Sequence, residues 1–592
     1  MQKSNIQSII NRVRQDDRTK LTEAEAKEVL TNAGMTTTRE ELVSSESEAI
    51  ASAKRIGFPV ALKIASPDIL HKTDVGGVLL DINDVEEVRQ GYRAIMGGIT
   101  ERYPKAIIHG VLIQEMMGGG IETIVGISNK PPFGPVVAYG LGGVFVDVLK
   151  DVTFRLAPID EMGATEMLAE IRGAEVLDGY RGQPKANKVK LAKALTQLSE
   201  LAIEFHRDIE ELDINPLVVK GDDVIALDAL ITLTTDEFRS SLPPSENSGK
   251  QHENDIRAVL EPRSIAVIGA STNPEKTGHV LLKNILVNGF QGRVYPINPH
   301  ADEILGLKVY PSILEVPDDI DLVFFLLPGK FVATLLEDCA KKGVKAAVII
   351  SAGFAEVGDE GEKRQKVLED LIKQTGVRCL GPNSIGFINM GKKLAGSFIL
   401  FENWEEGQIG LAGQSGIFAG AVADQLMFRT VQRIGIGASV IFGNKIDLDE
   451  TDFLEWAWKE PGIQIAALYL EGMKEPRRFF SLANKVKRDM PIIVLKTGRT
   501  EAGAKASASH TGSFALDDTL IDHTFRQYGV TRAKDLEEFL EFMKAFSYQP
   551  LPRGNRVGIV TFSGANGVLA SDELSERGFE LAEFEPVTHE RV

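Results

Sequence analysis

The sequence predicts several α/β domains in one chain, and three observations support this fold class. Its 592 residues are too many to share one hydrophobic core. From Ile265 onward, an apolar strand, a glycine-containing turn and a helical segment follow one another repeatedly, as in doubly wound parallel sheets. Residues 236–254, "DEFRSSLPPSENSGKQHEN", are rich in Ser, Pro and charge, which predicts a linker between this region and a different N-terminal part.

Composition excludes some classes of function. The 43% hydrophobic and 25% charged residues are typical of soluble globular proteins, and the net charge of -18 argues against nucleic acid or an anionic membrane as the main partner. The first residues lack the apolar region of a signal peptide, and no apolar run reaches membrane-spanning length. Cys339 and Cys379 lack metal-ligand spacing. We therefore expect a soluble cytoplasmic protein with no nucleic-acid or membrane partner.

The N-terminal part begins with a predicted helix followed by strands. "LTEAEAKEVLTNAG" has Thr22 as its N-cap and Gly34 after its end, and "PVALKIA" and "GVLIQEM" are typical of strands. Lys63 lies inside the first strand, where a buried ammonium is costly unless an anion pairs with it; an edge-strand lysine is the alternative. The glycines of "HKTDVGGV", which begins at His71, let that loop approach phosphates closely.

A hairpin near residue 221 predicts a magnesium site. "ELDINPLVVKGDDVIALDAL" contains two apolar strands joined by a turn at 220–223, which places Asn215 opposite Asp228 and puts Asp213 on the same face. Two carboxylates and an amide oxygen are ligands that Mg²⁺ prefers alongside phosphate oxygens. An acidic hairpin rim without a metal is the alternative.

Three strand–turn–helix units follow the linker. "SIAVIGAS" opens the first, "GQIGLAGQSG" the second and "RVGIVTFSGANG" the third, which has room for one strand and one helix, so we expect the C-terminus to be cut short within this unit. The first turn lacks the full G-x-G-x-x-G, which weakens a redox interpretation. It still offers backbone N–H groups to an anion, although a glycine needed only for packing is the alternative.

"KASASHTGS", residues 505–513, surrounds His510 with small residues. A neutral imidazole is a good phosphoryl acceptor, and small neighbours leave backbone N–H groups free for phosphate oxygens. An exposed loop histidine without function is the alternative. His523, in a half-apolar helical context, is expected to be structural.

These motifs together resemble one enzyme family. The N-terminal part is similar to the ATP-grasp domain of the nucleoside-diphosphate-forming acyl-CoA synthetases, relatives of succinyl-CoA synthetase, through "PVALKIASPDILHKTDVGGV", "IQEMM", "FGPVVAYGLGGVFVDVLKDVTFRLAP" and "ELDINPL". The remainder resembles their CoA-ligase subunit through "VIGAS", "VYPINP", "SAGFAEVG", "LGPNSIGFIN", "GQSG", "YLEG" and "KASASHTGS". The resemblance covers nearly the whole chain.

The resemblance implies an α/β fold with an ATP-grasp domain, then a Rossmann-like CoA-binding domain and flavodoxin-like domains of the succinyl-CoA-synthetase type. In chain order, we expect an ATP-grasp domain at 1–235, a linker at 236–254, a CoA-binding domain at 255–400, a flavodoxin-like ligase domain at 401–550, and the start of a third α/β domain at 551–592.

On the nucleotide side, the resemblance implies that Lys63 holds ATP phosphates, that Glu115 lies in the segment contacting adenine, and that Arg155 is a further phosphate contact. A surface charge beside a strand is the alternative for Arg155. The implied Mg²⁺ ligands are Asp213, Asn215 and Asp228.

On the CoA side, the resemblance implies that CoA binds at Gly269, Ala270 and Ser271, with Lys276 near its phosphates. Its residues for phosphoryl transfer are the phosphohistidine His510, the relay histidine His71, the helix N-terminus at Ser415 and Gly416, and Glu471, which orients the imidazole. A strand-end surface carboxylate is the alternative for Glu471.

The implied reaction joins a small carboxylic acid to CoA with ATP and Mg²⁺, and it releases ADP and phosphate. Two other functions stay open: a non-catalytic CoA or nucleotide sensor associated with an acyltransferase, and an ATP-grasp peptide or amine ligase. The identity of the acid, the direction of the reaction, ADP versus GDP and the oligomeric state are not encoded in these motifs, and a homodimer is among the options.

Overall fold

The computed structural model describes most of the chain. Its described residues are 1–66, 68–69, 72, 75–142, 151–179, 184–242, 256–399, 405–416, 422, 434–500, 502–503, 505, 518–589 and 591. No helix in this described part is long and apolar enough to cross a bilayer.

The N-terminal part combines eleven described strands with helices on their faces. The strands are β1 (Thr36–Thr37), β2 (Glu40–Val43), β3 (Val60–Ala65), β4 (Val78–Ile82), β5 (Gly110–Glu115), β6 (Ile121–Lys130), β7 (Gly134–Leu141), β8 (Val152–Leu156), β9 (Ile209–Lys220), β10 (Asp223–Ala226) and β11 (Ala229–Leu233). The helices are α1 (Lys3–Gln15), α2 (Glu23–Asn32), α3 (Glu46–Ile56), α4 (Val85–Arg102), α5 (Glu161–Glu170), α6 (Lys188–Glu204) and α7 (Asp236–Ser241).

These strands form two sheets. One has the order β1-β10-β9-β6-β7-β8, with β11 also paired to β9, and the other has the order β2-β5-β3-β4. Helices α1, α2 and α6 bury their apolar faces against the larger sheet, and α3 and α4 against the smaller one. The predicted helix and both predicted strands are confirmed. Helix α2 starts at Thr22 because the Thr22 side chain accepts from the backbone of Glu25 while Glu25 binds the backbone of Thr22.

Residues 257–380, which the sequence predicts to bind CoA and which are called the CoA-binding region below, form a parallel sheet covered on both faces. Its strands and helices are β12 (Ser264–Ile268), β13 (Arg293–Ile297), β14 (Glu303–Ile304), β15 (Leu307–Lys308), β16 (Leu322–Phe325), β17 (Ala346–Ile349), β18 (Arg378–Leu380), α8 (Arg257–Leu260), α9 (Thr277–Val287), α10 (Val332–Lys342) and α11 (Asp359–Thr375). The main sheet has the order β13-β12-β16-β17-β18, and all pairs are parallel. Strand β12 is buried throughout, as expected for a strand between two helical layers.

Residues 386–548, called the ligase region below after the predicted ligase domain, also form a sheet with helices between its strands. Its elements are β19 (Gly386–Asn389), β20 (Leu394–Ser397), β21 (Ile409–Gly413), β22 (Ile436–Ile441), β23 (Ile465–Leu470), β24 (Ile492–Lys496), β25 (Thr531–Ala533), α12 (Glu450–Lys459), α13 (Pro476–Val486), α14 (Asp518–Gln527) and α15 (Leu536–Tyr548). The sheet has the order β20-β19-β22-β21-β23-β24-β25, and the five strands from β22 to β25 in this order are parallel.

The last segment differs from the expectation of one strand and one helix. It contains β26 (Arg556–Val557), α16 (Gly564–Glu576), β27 (Glu580–Leu581) and α17 (Pro586–His589), and β26 pairs with β27 in parallel. The second strand forms because Gly578, with a φ of 77°, lets the chain reverse after α16.

The N-terminal part packs directly on the ligase region. The guanidinium of Arg477 in α13 donates to the carbonyl oxygens of Phe133, of Pro135 at 3.1 Å and of Ala157 at 2.8 Å. In α14, Gln527 donates to the carbonyl of Leu156 at 3.0 Å and accepts from its N–H at 2.9 Å. The two regions therefore share hydrogen bonds between helix side chains and the backbone around β7 and β8.

Aromatic side chains extend this interface. Phe133 stacks on Phe480 with ring centroids 6.5 Å apart, and the ring of His523 meets Phe154 edge to face at 5.6 Å. Phe133, Val136 and Leu156 belong to the same buried apolar cluster as the ligase region. The contact of His523 agrees with the structural role expected for it.

Candidate active site

A cavity of about 1020 Å³ is lined by residues of both N-terminal sheets and by the start of α2. Its wall contains Glu23, Lys72, Asp213, Asn215 and Asp228. Cationic and anionic groups therefore share one large, open space, which is the arrangement needed to hold a nucleotide phosphate chain and its metal ion.

Three lysine ammonium groups meet at one carboxylate of this wall. Glu23 accepts from Lys63 Nζ at 2.8 Å, from Lys27 Nζ at 3.0 Å and from Lys72 Nζ. Lys63 Nζ also lies 3.5 Å from Asp228 Oδ2. The buried lysine predicted from "PVALKIA" is therefore paired with an anion, as its position required, and it reaches the cavity wall through Glu23 and Asp228.

The ionisation of this cluster follows from its mutual attraction. Burial raises the pKa of Glu23, but the charges of Lys63, Lys27 and Lys72 outweigh burial and hold it well below its usual range. Burial lowers the pKa of Lys63, and the charges of Glu23 and Asp228 reverse that effect, so that its pKa is raised. Glu23 and Lys63 are thus both ionised at neutral pH.

The predicted hairpin register is confirmed. Lys220 pairs with Asp223 around a turn in which Gly221 has a φ of 59°, and Asp213 pairs with Leu230. The N–H of Asn215 donates to the carbonyl of Asp228 at 3.3 Å, so that these two residues lie opposite each other. The pairing follows the period of two along each strand, which keeps the three polar side chains on one face.

The hairpin face fits a magnesium ion that is held together with phosphate. Burial, with the negative charges of Asp228 and Glu211, raises the pKa of Asp213, and a cation would relieve this repulsion. In the part of the chain that the structure describes, no cluster of three His, Cys, Asp or Glu side chains is preassembled for a metal. Two carboxylates and an amide suit Mg²⁺ by their hard oxygen donors, since Mg²⁺ keeps water and substrate oxygens as its other ligands.

Two predicted nucleotide contacts lie away from the cavity wall. Glu115 ends β5, and its carboxylate accepts from the backbone N–H and from Nε of Arg39 at 2.8 and 2.7 Å. Arg155 is 1% exposed and donates to Glu170 at 2.9 and 2.5 Å. The structure does not bring either side chain to the cavity, and Arg155 is not the surface charge that was its alternative.

A second cavity of about 580 Å³ lies on the same sheet, between β6, β9 and α14. Asp213 lines both cavities, and Leu520 of α14 lines the second. Asp213 thus separates the first cavity from a second one that reaches α14, the helix that follows His510 in the chain.

The predicted CoA turn follows β12 at a topological switch point. Strands β13 and β16 lie on opposite sides of β12, and ligands bind where such neighbours diverge. Gly269 has a φ of 92°, and a Cβ there would lie 2.3 Å from the carbonyl oxygen of Leu326, so only glycine fits. Asn298 Nδ2 donates to the carbonyl of Ala270 at 2.7 Å, and Nδ1 of His279 lies 2.9 Å from the carbonyl of Ser271.

Lys276 is the N-cap residue of α9, and its side chain is exposed. The turn and the helix N-terminus thus present backbone N–H groups and one ammonium at the same sheet edge, which suits an anionic ligand. A Cβ at Gly269 would collide with Leu326, so the packing constraint is present, and the binding role of the turn stays a prediction.

The ligase region brings its predicted residues together at its own switch point. Ser415 and Gly416 follow β21, and Glu471 follows β23, the neighbouring strand. Gln414 Oε1 accepts from the N–H of Glu471 at 2.7 Å and of Gly472 at 3.0 Å. Glu471 is 4% exposed, so it is not the surface carboxylate that was its alternative. His71 and His510 lie outside the described residues.

Sequence reasoning missed Glu23, Lys27, Lys72 and Gln414. Lys72 stood in the quoted "HKTDVGGV" motif, and Glu23 directly follows the predicted N-cap Thr22. Gln414 lies within the "GQSG" turn, where only the glycines and serine were considered. Lys27 binds Glu23 one helical turn away, but Glu23 also binds Lys63 and Lys72, and Gln414 binds the backbone of Glu471, all far apart in the chain. Local patterns do not identify such distant partners.

Comparisons with known proteins agree with this architecture. Family models match an ATP-grasp domain at residues 12–233, a CoA binding domain at 263–390 and a succinyl-CoA ligase like flavodoxin domain at 406–546. The predicted succession of fold types is thereby confirmed, while the exact boundaries stay predictions.

Relatives match over long stretches. The chain is 38% identical to acetate–CoA ligase (ADP-forming) II of Archaeoglobus fulgidus over 573 residues, which are 97% of this chain and 82% of that protein. It is 42% identical over 225 residues to subunit beta of acetate–CoA ligase (ADP-forming) I of Pyrococcus furiosus, which is 38% of this chain and 96% of the subunit. A solved structure of dinucleotide forming acetyl-coenzyme A synthetase 1 from Ca. Korarchaeum cryptofilum, in complex with phosphate and ADP, matches with a TM-score of 0.53 and 39% identity over 56% of this chain and 71% of that chain.

Proposed function

The chain belongs to the family of ADP-forming acetate–CoA ligases, and on this premise we propose that it forms acyl-CoA from a small carboxylic acid, CoA and ATP through a phosphohistidine at His510. The observation that carries the proposal is the cavity pair on the hairpin face. Asp213 lines both the nucleotide cavity and the cavity that reaches Leu520 of α14, the helix that follows His510 in the chain, and this supports phosphoryl transfer between the two regions.

In the first step, a ring nitrogen of His510 attacks the γ-phosphorus of ATP, the bond from phosphorus to the β-γ bridging oxygen breaks, and ADP leaves. Lys63 and Lys72 bind phosphate oxygens, which replace the carboxylate of Glu23 as their partner. Mg²⁺, when bound by Asp213, Asn215 and Asp228, neutralises phosphate charge. Where His510 does not reach the γ-phosphate directly, His71 takes the phosphoryl group from ATP and passes it to His510. Such a reaction depends mainly on positioning and on charge neutralisation.

In the second step, the phosphoryl group passes from His510 to a carboxylate oxygen of the acid, which forms an acyl phosphate. The thiol sulfur of CoA then attacks the acyl carbon, the carbon–oxygen bond breaks, and phosphate leaves while the thiol proton passes to solvent. Glu471 orients the imidazole, and the N–H groups at Ser415 and Gly416 bind the phosphoryl oxygens. The turn at Gly269, Ala270 and Ser271, with Lys276, binds the nucleotide end of CoA.

Phosphoenzyme formation tests the proposal. The protein is incubated with Mg²⁺ and γ-labelled ATP beside His510→Ala and a control, His206→Gln, whose histidine lies at the end of α6, away from the described cavities. We expect acid-labile, alkali-stable label on the wild type and the control, and its discharge by acetate plus CoA. On His510→Ala, any label held by the relay residue His71 should not be discharged. Acetate is the first acid to test because the relatives are named for it. An unlabelled wild type would instead favour a CoA or nucleotide sensor.

The cytoplasmic location and a homodimeric assembly remain predictions, as does the position of Glu115 in the segment that contacts adenine.

A further inference from the structure

Three buried side chains hold the backbone of Glu471 and Gly472. Gln414 Oε1 accepts from both N–H groups at 2.7 and 3.0 Å. Lys496 Nζ donates to the carbonyl of Glu471 at 2.8 Å, and Lys445 Nζ donates to the carbonyl of Gly472 at 2.7 Å. The three side chains are 3–4% exposed. All four backbone polar groups of this dipeptide are thus fixed by side chains, which sets the direction in which Glu471 leaves the sheet.

Lys496 differs from Lys445 in its charge partners. Lys445 Nζ lies 2.8 Å from Glu450 Oε2, which is an ordinary buried ion pair. Lys496 Nζ donates to the carbonyls of Glu471 and Thr497, and among the described residues no carboxylate oxygen lies within 4.0 Å of it. A buried ammonium without an adjacent carboxylate is costly, and this strand position would accept Leu or Met.

The charged groups around Lys496 come from each neighbouring element. They are Arg532 on β25, Asp518 at the start of α14, Lys445 after β22, and Glu471 after β23. Arg532 binds Asp518, and Lys445 binds Glu450. The hydrogen bond from Lys496 Nζ to the carbonyl of Glu471 places the positive charge of Lys496 at the end of β23. Burial first, and then the charge of Arg532, lowers the pKa of Lys496 to about 8.

We propose that Lys496 is a positioning residue for phosphoryl transfer, which holds the carbonyl of Glu471 and keeps positive charge behind the carboxylate that orients His510. The inference rests on the proposed function of Glu471 and His510. It adds a residue that does not touch substrate but fixes the one that orients the phosphohistidine, in the way that hydrogen-bonded neighbours fix catalytic ligands elsewhere.

The test compares Lys496→Met, which removes the donor and the charge, with Lys496→Gln, which keeps a donor. Lys485→Met, an exposed lysine on α13, is the matched control. Phosphoenzyme formation is followed from γ-labelled ATP and, separately, from acetyl-CoA plus labelled phosphate. We expect Lys496→Met to slow both routes by about 10- to 100-fold, the factor for one charge-assisted hydrogen bond, with KM for ATP unchanged. Lys496→Gln should be intermediate, and the control should match the wild type.

The pH profile separates this role from a structural one. Because its pKa is lowered to about 8, Lys496 loses its proton gradually as the pH rises through that range, and the wild-type rate should fall with it. That fall should be absent in Lys496→Gln, which has no proton to lose. If Lys496→Met does not unfold cooperatively, it is not properly folded, and the pH profile of Lys496→Gln alone tests the inference.

The inference is overturned if Lys496→Met forms phosphoenzyme at the wild-type rate, or if Lys496→Gln keeps the fall above pH 8. A wild type that takes no label from either route would instead overturn the proposed function itself. The two failures are therefore distinguishable in one set of measurements.

Discussion

Nζ of Lys63 lies 2.8 Å from Oε1 of Glu23, a residue forty positions earlier in the chain. The lysine that we expect to bind ATP phosphates is thus already bound to a buried carboxylate, which also binds Lys27 and Lys72. An arriving phosphate replaces one anion with another and finds the ammonium groups in place. Such preorganisation avoids the cost of ordering charged side chains during binding.

Glu23→Gln should destabilise the N-terminal part by about 3–5 kcal/mol at pH 7, because it removes the buried negative charge that Lys27, Lys63 and Lys72 share. Since the folded-state pKa of Glu23 is lowered, its contribution is full above the unfolded pKa of about 4.5 and is lost as the pH falls below that value. Urea unfolding at pH 7 and pH 4 measures the difference between variant and wild type. Glu28→Gln, on the exposed face of α2, is the control, and equal stability of both variants would contradict the prediction.

Asp228→Asn should raise the Mg²⁺ concentration needed for phosphoenzyme formation by about tenfold or more, because one charged ligand is lost. The variant should also shift the pH dependence. Burial and the charge of Asp228 both raise the pKa of Asp213, so wild-type Mg²⁺ binding weakens at a higher pH than for an ordinary aspartate. In the variant this weakening should begin at a lower pH.

The measurement for Asp228→Asn is a Mg²⁺ titration of label incorporation between pH 7.5 and 5. Asp222→Asn is its matched control, since Asp222 belongs to the same hairpin but its side chain is 74% exposed in the turn. If both variants have the same half-saturating Mg²⁺ concentration, Asp228 is not a ligand of the metal ion.

Arg477→Ala should separate the two routes to the phosphoenzyme. Its guanidinium is bonded to three carbonyl groups of the N-terminal part, so its loss loosens the nucleotide site from the ligase region. We expect labelling from ATP to fall by about tenfold or more. Labelling from acetyl-CoA plus phosphate should persist, because that route needs only the CoA-binding and ligase regions.

Arg488→Ala, an exposed arginine just after α13, is the control for Arg477→Ala. An equal fall of both routes would mean that Arg477 supports the ligase region itself rather than the contact between the two parts of the chain.

Arg155→Met should lower stability by about 3 kcal/mol and leave the KM for ATP unchanged, because Arg155 is fully buried against Glu170 and lies off the nucleotide cavity. Burial raises the pKa of Glu170, but its hydrogen bonds to Arg155 and Thr153 lower it overall. The stability difference should therefore shrink as the pH falls below about 4.5. Unfolding curves and ATP saturation curves measure the two effects, and a raised KM with unchanged stability would restore the predicted phosphate contact.

Local patterns in the sequence determined much of this architecture. The start of α2 at Thr22, the opposition of Asn215 and Asp228 across the hairpin, and the position of Glu471 at a strand end were all predictable. Each depends on spacing within a few residues: a capping box, a period of two around a short turn, and an apolar run that stops at a polar residue. The resemblance of the motifs to one family then indicated the succession of domains.

Tertiary structure alone decided which charges meet. Glu23 binds a lysine of β3 and a lysine of the following loop. Arg155 binds Glu170 of α5 and does not reach the cavity, and Lys496 donates to the carbonyl of Glu471. A lysine inside an apolar strand shows that an anion must be near, but it does not show which one. That choice is made when sheets and helices from distant parts of the chain pack together, since only then do burial and distance fix the partner of each charge.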